Sequence, residues 1–160
     1  VPFLKPVTAL IILAGAAFGG RAGFLCGAMS LFVSNFYFGQ GAWTPWQMFA
    51  YGLAGLLAGV IFRPGRMPRK RIPMALFGAV CVLFPVGPLL DTSTLFLMAA
   101  QVTPASAAAV YLAGLPVNGI HAGATAFFLF VAGPLMLEKL DRVQLKYGLD
   151  RGEGALRDAD

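Results

Sequence analysis

The stretch SNFYFGQGAWTPWQMFAYGLAGLLAG, residues 34–59, places a polar and aromatic turn between two apolar helices. Residues 39–41, a Gly-Gln-Gly run, interrupt the first helix. Pro45 stands where the first turn of a helix tolerates proline, and Thr44 before it is a candidate N-cap. The turn is too polar to lie in hydrocarbon, so the pattern predicts two packed membrane spans joined at a membrane surface.

Trp43 and Trp46 are the two tryptophans of the chain. They stand at the level where an aromatic belt is expected in a membrane protein, and an interfacial loop or a ligand contact would each account for them. Gly55 and Gly59 follow in a small-xxx-small pattern, which lets membrane helices pack backbone to backbone. We therefore expect a tight helix contact along this face.

The composition indicates an integral membrane protein. Of the 160 residues, 58% are hydrophobic and 12% are charged, whereas a soluble domain carries roughly a quarter charged residues. The net charge of +5 does not indicate nucleic-acid binding, because the basic residues cluster in short loops. Cys26 and Cys81 lie in apolar runs and are interpreted as packing residues.

We predict an all-α, polytopic membrane helix bundle with five spans over residues 1–147, followed by a polar cytoplasmic tail over residues 148–160. A span needs about 20 residues. An apolar patch at residues 95–100 is interpreted as an interfacial or partly embedded helix, and the segment after residue 137 as an amphipathic tail. The expected spans are residues 7–18 (extended through 20), 22–38, 47–62, 72–90 and 116–137.

The distribution of basic residues predicts the orientation. If the loop at residues 63–71 lies in the cytoplasm, 11 of the 12 basic residues fall on that side and Lys5 alone lies outside. Cytoplasmic loops carry the excess of Lys and Arg in membrane proteins. We therefore expect a cytoplasmic C-terminus, a plasma-membrane location and an external turn at residues 39–46.

This orientation brings the few polar groups of the spans to the outer half of the membrane. Intramembrane polar and ionisable residues are costly and are candidates for function. Asn118, His121 and Thr125 share one helix face, although His121 also fits an interhelical hydrogen bond and Asp91 a solvated interface. The candidate substrate-binding residues are Asn35, Gln40, Trp43, Trp46, Gln47, Tyr51, Asp91, Asn118, His121 and Thr125.

Catalytic and cofactor motifs are absent from the sequence. The single His excludes a His-rich metal site, and no phosphate-binding loop, nucleophile elbow or dinucleotide fingerprint occurs. Asp91 is the one acid before residue 137, so the paired carboxylates expected of a proton pump are missing. We therefore expect no enzyme, no cofactor and no metal, and any energy input has to come from another chain.

Four segments together resemble the substrate-binding S component of an energy-coupling factor (ECF) transporter. The resemblance covers almost the whole chain and is most specific in FGQGAWTPWQMFAYG and in the closing KYGL. The segments are FLKPVTALIILAG (residues 3–15), RAGFLCGAMSLFVSNFYFGQGAWTPWQMFAYGLAGLLAG (21–59), LAGLPVNGIHAGATAFFLF (112–130) and LEKLDRVQLKYGL (137–149).

This resemblance implies a membrane protein that captures a vitamin or related micronutrient from outside. It implies as partners a transmembrane coupling protein and two cytoplasmic ATPase subunits. Family members have six spans, so we expect that the sequence lacks the first helix, which in the family contacts the coupling protein. The substrate stays open, with cobalamin as one candidate. A structural or assembly membrane protein is the alternative, and a small secondary transporter is disfavoured because no charge relay is present.

The charge asymmetry makes a testable prediction. In a background with Cys26 and Cys81 replaced by alanine, an impermeant thiol reagent added outside the cell is expected to label Ala42→Cys and to spare Met67→Cys. The opposite labelling pattern would overturn the orientation.

Overall fold

The computed structural model describes residues 6–63 and 66–148, and this part of the chain consists of helices and short connections without a strand. We number five helices in chain order. They are α1 (Val7–Phe18), α2 (Gly20–Phe38), α3 (Thr44–Ile61), α4 (Arg71–Met98) and α5 (Pro104–Tyr147). The predicted all-α class is therefore confirmed. Of the predicted tail at residues 148–160, all but Gly148 lies outside the described residues.

Glycine and a capping box set several of the helix ends. Gly19 and Gly39 have φ angles of 99° and 105° and end α1 and α2, while Gly148 ends α5 in the left-handed conformation with φ 61°. A residue with a Cβ rarely adopts such angles. At the start of α5, Thr103 accepts a hydrogen bond from the Ser106 N–H, and the Ser106 hydroxyl accepts one from the Thr103 N–H.

The start of α3 differs from the predicted cap. Trp43 occupies the N-cap position, and Thr44 is the first helical residue. The Thr44 hydroxyl instead accepts a hydrogen bond from the Gly41 N–H at 3.2 Å. Thr44 therefore tightens the turn before the helix, and Pro45 follows in the first helical turn as predicted.

Helices α4 and α5 both extend beyond the predicted spans. α4 continues to Met98 through a π-helical segment, Val82–Val86, that contains Pro85. α5 begins at Pro104 and has 44 residues, with Pro116 and Pro134 inside it. Prolines are tolerated inside membrane helices. At 1.5 Å per residue α5 is about 66 Å long, so it extends well beyond a hydrocarbon core of roughly 30 Å.

Two of the described helices, α4 and α5, are long and apolar enough to cross a membrane. α1 is apolar but has 12 residues. It is the most deeply packed helix, because α2, α3, α4 and α5 all contact it. Its buried apolar side chains pack with Phe62, Met74 and Leu129 in the main hydrophobic core. A 12-residue apolar helix is typical of such a buried position.

Glycines bring the backbones of α2 and α3 together. A Cβ added to Gly55 would collide with the carbonyl group of Gly23, and one added to Gly27 would collide with that of Tyr51. A Cβ added to Gly59 would collide with the backbone of Gly20. The predicted close packing of the Gly55–Gly59 face is therefore confirmed, and its partner is α2.

Polar side chains cross-link the other helices at the end of the bundle where α1 and α3 terminate. Gln144 of α5 donates a hydrogen bond to the Ala17 carbonyl at 2.7 Å. Arg69 pairs with Asp141 at 3.2 Å and donates a hydrogen bond to the Phe62 carbonyl. The segment before α4 is thus held to α3 and α5 at this end, which also carries most of the basic residues.

The glycine contact makes a stability prediction. Gly55→Ala is expected to lower the free energy of unfolding by about 1–3 kcal/mol, because the new methyl group overpacks against the Gly23 backbone. That loss corresponds to a fall of several degrees in the apparent melting temperature of the detergent-purified protein.

Gly119→Ala is the matched control, because a Cβ at Gly119 meets no atom within 4 Å. Alanine favours a helix over glycine by about 1 kcal/mol, so the control is expected to melt at the parent temperature or above it. Equal melting temperatures for Gly55→Ala and the parent would contradict the tight contact.

Candidate ligand-binding cavity

A cavity of about 450 Å³ lies among α1, α2, α3 and α5, next to the turn between α2 and α3. Small-molecule sites have volumes of about 300–1,000 Å³, so this cavity is large enough for a ligand. Its wall consists of Val7, Thr8, Leu10, Ile11, Cys26, Ser30, Leu31, Ser34, Asn35, Phe38, Gly39, Trp43, Gln47, Tyr51 and His121.

Hydrogen bonds between helices fix the polar part of this wall. The Asn35 side chain of α2 donates to the Gln47 side-chain oxygen of α3 at 2.9 Å. The Thr8 hydroxyl of α1 and His121 Nε2 of α5 are 3.0 Å apart. Tyr51 of α3 lies beside Thr8 and also lines the cavity. The cavity therefore has polar groups held in place by partners on different helices, which is the usual condition for orienting a ligand.

The remaining wall is apolar and aromatic. Trp43 and Phe38 lie at the turn, where Phe38 is 81% exposed, while Ile11 and Leu31 lie on α1 and α2. None of the described residues in the wall is Asp, Glu, Lys or Arg. An amphipathic ligand without net charge matches a wall of this composition, because a charged group would find no opposite charge there.

Five of the ten predicted site residues line the cavity. They are Asn35, Trp43, Gln47, Tyr51 and His121. Gln40 is exposed in the turn. Trp46 does not line the cavity and instead stacks on Phe96 of α4, with ring centroids 6.3 Å apart. The two tryptophans, three positions apart, thus contact different surroundings.

Asp91 and Asn118 form a separate polar pair between α4 and α5. The Asn118 side chain donates a hydrogen bond to the Asp91 carboxylate at 2.8 Å. Glycines provide the space on both sides, because a Cβ at Gly114 would clash with the Asp91 carboxylate and one at Gly87 with the Asn118 amide. The pair does not line the cavity. It joins the two longest helices.

The predicted shared face of Asn118, His121 and Thr125 contacts more than one neighbour. His121 lies against α1 and Asn118 against α4. Thr125 is buried beside Gly78 of α4, and its hydroxyl has no hydrogen-bond partner among the described residues. A face that is continuous along α5 is therefore divided between the cavity and the α4 interface.

The wall residues of α1, and those of α2 other than Asn35, were not predicted from the sequence. Thr8 is fully buried and lies within hydrogen-bond distance of His121, another residue of the wall. Cys26, Ser30 and Ser34 repeat at a spacing of four, which places them on one face of α2. This spacing on one face of α2 was a signal available in the sequence.

A bundle of apolar helices around a cavity with a few polar but no acidic or basic side chains is typical of membrane proteins that bind small molecules. The family model of the S component of ECF-type riboflavin transporters matches residues 2–140. The chain therefore belongs to this family. The family is one of transporter S components in the membrane and not of enzymes, which confirms the resemblance seen in the sequence.

A further relative is a UPF0397 protein of Vibrio atlanticus (strain LGP32), which is 30% identical over 86 residues. The alignment covers 52% of this chain and 47% of the relative, so the chain spans about half of that relative's length. No solved structure matches the chain.

Because the Asp91–Asn118 pair lies outside the cavity, we predict that it contributes to the stability of the bundle. Asp91→Ala removes an interhelical hydrogen bond and is expected to lower the free energy of unfolding by about 0.5–2 kcal/mol, the range found for such bonds in membrane proteins. The readout is thermal unfolding in detergent. Glu138→Ala, which removes an exposed carboxylate, is the control and is expected to have no effect. Equal melting temperatures for both variants would show that the pair does not stabilise the bundle.

Proposed function

We propose that this chain captures riboflavin, or a closely related neutral flavin, in the cavity of about 450 Å³ and passes it to an ATP-driven ECF complex. The observation that carries the proposal is the uncharged wall, in which side-chain amides and hydroxyls face aromatic rings. The name of the matched family supports the flavin. The family name and the cavity volume both favour riboflavin over cobalamin, which is a much larger molecule.

The chemistry of a flavin complements this wall. Its ring system is flat and apolar at one edge, and at the other it has both hydrogen-bond donors and acceptors. The amides of Asn35 and Gln47 can donate as well as accept, and aromatic side chains favour contact with flat rings. The hydroxyls of Ser30, Ser34 and Tyr51 suit the ribityl chain. A phosphorylated flavin would bring a charge that the wall does not neutralise.

The positions of the charges support an outward-facing cavity. Asn35 and Trp43 lie at the end of α2 and just before the start of α3, whereas Arg21 and Arg63 lie at the opposite ends of the same two helices. Basic residues mark the cytoplasmic side. In this orientation the cavity opens outside, where the nutrient is captured, and α5 carries the C-terminus to the cytoplasm.

Transport requires partners that supply energy. ECF transporters combine an S component with membrane and ATPase components, and we propose one coupling protein and two ATPase subunits for this chain. Purification of the tagged chain together with those subunits, followed by ATP-dependent release of bound flavin, tests this step. The family match favours transport over the structural or assembly role considered as the alternative.

The cavity proposal predicts the effect of substitutions on riboflavin affinity. Gln47→Ala, Tyr51→Phe and His121→Ala each remove a polar group of the wall. A lost buried polar contact costs about 1–3 kcal/mol, so each variant is expected to bind riboflavin roughly ten- to a hundredfold more weakly by isothermal titration calorimetry. Riboflavin phosphate is expected to bind the parent more weakly than riboflavin.

Asn118→Ala is the matched control, because Asn118 is also an intramembrane polar residue but lies outside the cavity wall. It is expected to keep the parent affinity, and thermal unfolding of every variant separates binding from stability. If the three wall variants fold and bind as the parent does, or if Asn118→Ala weakens binding as much as they do, the ligand lies elsewhere.

A further inference from the structure

A second cavity of about 410 Å³ lies at the opposite end of the bundle, where the turn between α1 and α2 meets the end of α3. Its wall consists of Phe18, Gly19, Gly20, Arg21, Leu56, Val60 and Arg63. Nothing in the proposed capture of a flavin uses these residues. The cavity is open to one side and combines two arginines with an apolar surface.

Among the described residues, the two arginines have no acidic partner. Within residues 6–63 and 66–148 the one ion pair joins Arg69 to Asp141, and Arg21 and Arg63 take no part in it. Both guanidinium groups add positive charge to the wall of the same cavity. Guanidinium groups bind phosphate oxygens in a bidentate manner, so this wall suits a phosphate group.

The backbone that carries the arginines is held in place. A Cβ added to Gly59 would collide with the backbone of Gly19 and Gly20, so the turn between α1 and α2 rests directly on α3. Arg21 follows this turn by one residue, and Arg63 follows α3 by two residues. The two side chains therefore start from fixed points on the same tightly packed unit.

The rest of the wall indicates what carries the phosphate. Phe18, Leu56 and Val60 are partly buried side chains that continue the cavity along the apolar surface of the helices. A free phosphate ion would leave this apolar part unused, whereas an acyl chain would cover it. Basic pockets between membrane helices bind the headgroups of anionic lipids.

We propose that this cavity binds one anionic phospholipid, with its phosphate between Arg21 and Arg63 and an acyl chain along Leu56 and Val60. The negative charge of the bound lipid offsets part of the positive charge of the two arginines, and its acyl chain covers the junction of α1, α2 and α3. The site requires a membrane surface at this end of the bundle, and it is independent of the nature of the transported ligand.

Native mass spectrometry of the detergent-purified full chain tests the proposal. The protein is incubated with equal amounts of phosphatidylglycerol and phosphatidylcholine that have identical acyl chains, and the first bound lipid is quantified. The parent is expected to prefer phosphatidylglycerol. Each Arg near a membrane surface adds about 1 kcal/mol for anionic lipid, a fivefold effect, so Arg21→Gln/Arg63→Gln is expected to reduce the preference by tenfold or more.

Arg66→Gln/Arg142→Gln is the matched control, because it removes two exposed arginines that do not line the cavity. It is expected to keep the preference of the parent. Arg21→Lys/Arg63→Lys retains the charge without the bidentate geometry and is expected to lose part of the preference. Melting temperatures check that all variants fold.

Three results would overturn the proposal. The parent could bind both lipids equally, or the control could lose as much preference as Arg21→Gln/Arg63→Gln, which would show a general surface charge effect. In a parallel sample, millimolar inorganic phosphate could displace phosphatidylglycerol completely, which would show that the cavity binds the phosphate ion and not the lipid.

Discussion

The backbone contact between Gly23 and Gly55 is the constraint on which the rest of this structure depends. The two helices approach so closely here that neither position has room for a Cβ. The same contact aligns Gly27 with Tyr51 and Gly59 with Gly20. Packing of this kind requires small residues, because lipid chains are as apolar as leucine and membrane helices associate through close fit. It sets the register of α2 on α3 and so the position of every side chain at their ends.

The two cavities follow from that register. Beyond Gly27 the facing residues of α2 have side chains, and Ser30, Ser34 and Asn35 line the candidate ligand cavity. In the other direction the contact ends at Gly20, and the side chain of Arg21 lies on the wall of the second cavity. One helix therefore changes from glycine in its first half to polar groups in its second, and α1 fills the space on the inner side.

Much of this architecture could be predicted from local sequence patterns. Breakers, small-residue spacing and polarity within residues 34–59 predict the turn at residues 39–46, the Gly55–Gly59 contact and four of the wall residues. The role of Thr8 could not be predicted, because its importance comes from His121, which is 113 positions away. Asp91 and Asn118 were correctly placed at one level, but which neighbour each faces is decided by how α4 and α5 rotate against the bundle. The lengths of these helices were underestimated because the predicted spans, 72–90 and 116–137, cover only part of each helix.

The two ends of the bundle differ in what holds them together. At the basic end, Arg69–Asp141 and Gln144–Ala17 join helices through groups that lie outside the candidate ligand cavity. At the other end, the contacts Asn35–Gln47 and Thr8–His121 join helices through residues of the cavity wall. A ligand that bonds to these groups therefore has to replace or extend the contacts that hold this end of the bundle. Binding and local packing are coupled there, whereas the contacts that hold the basic end involve no residue of the cavity wall.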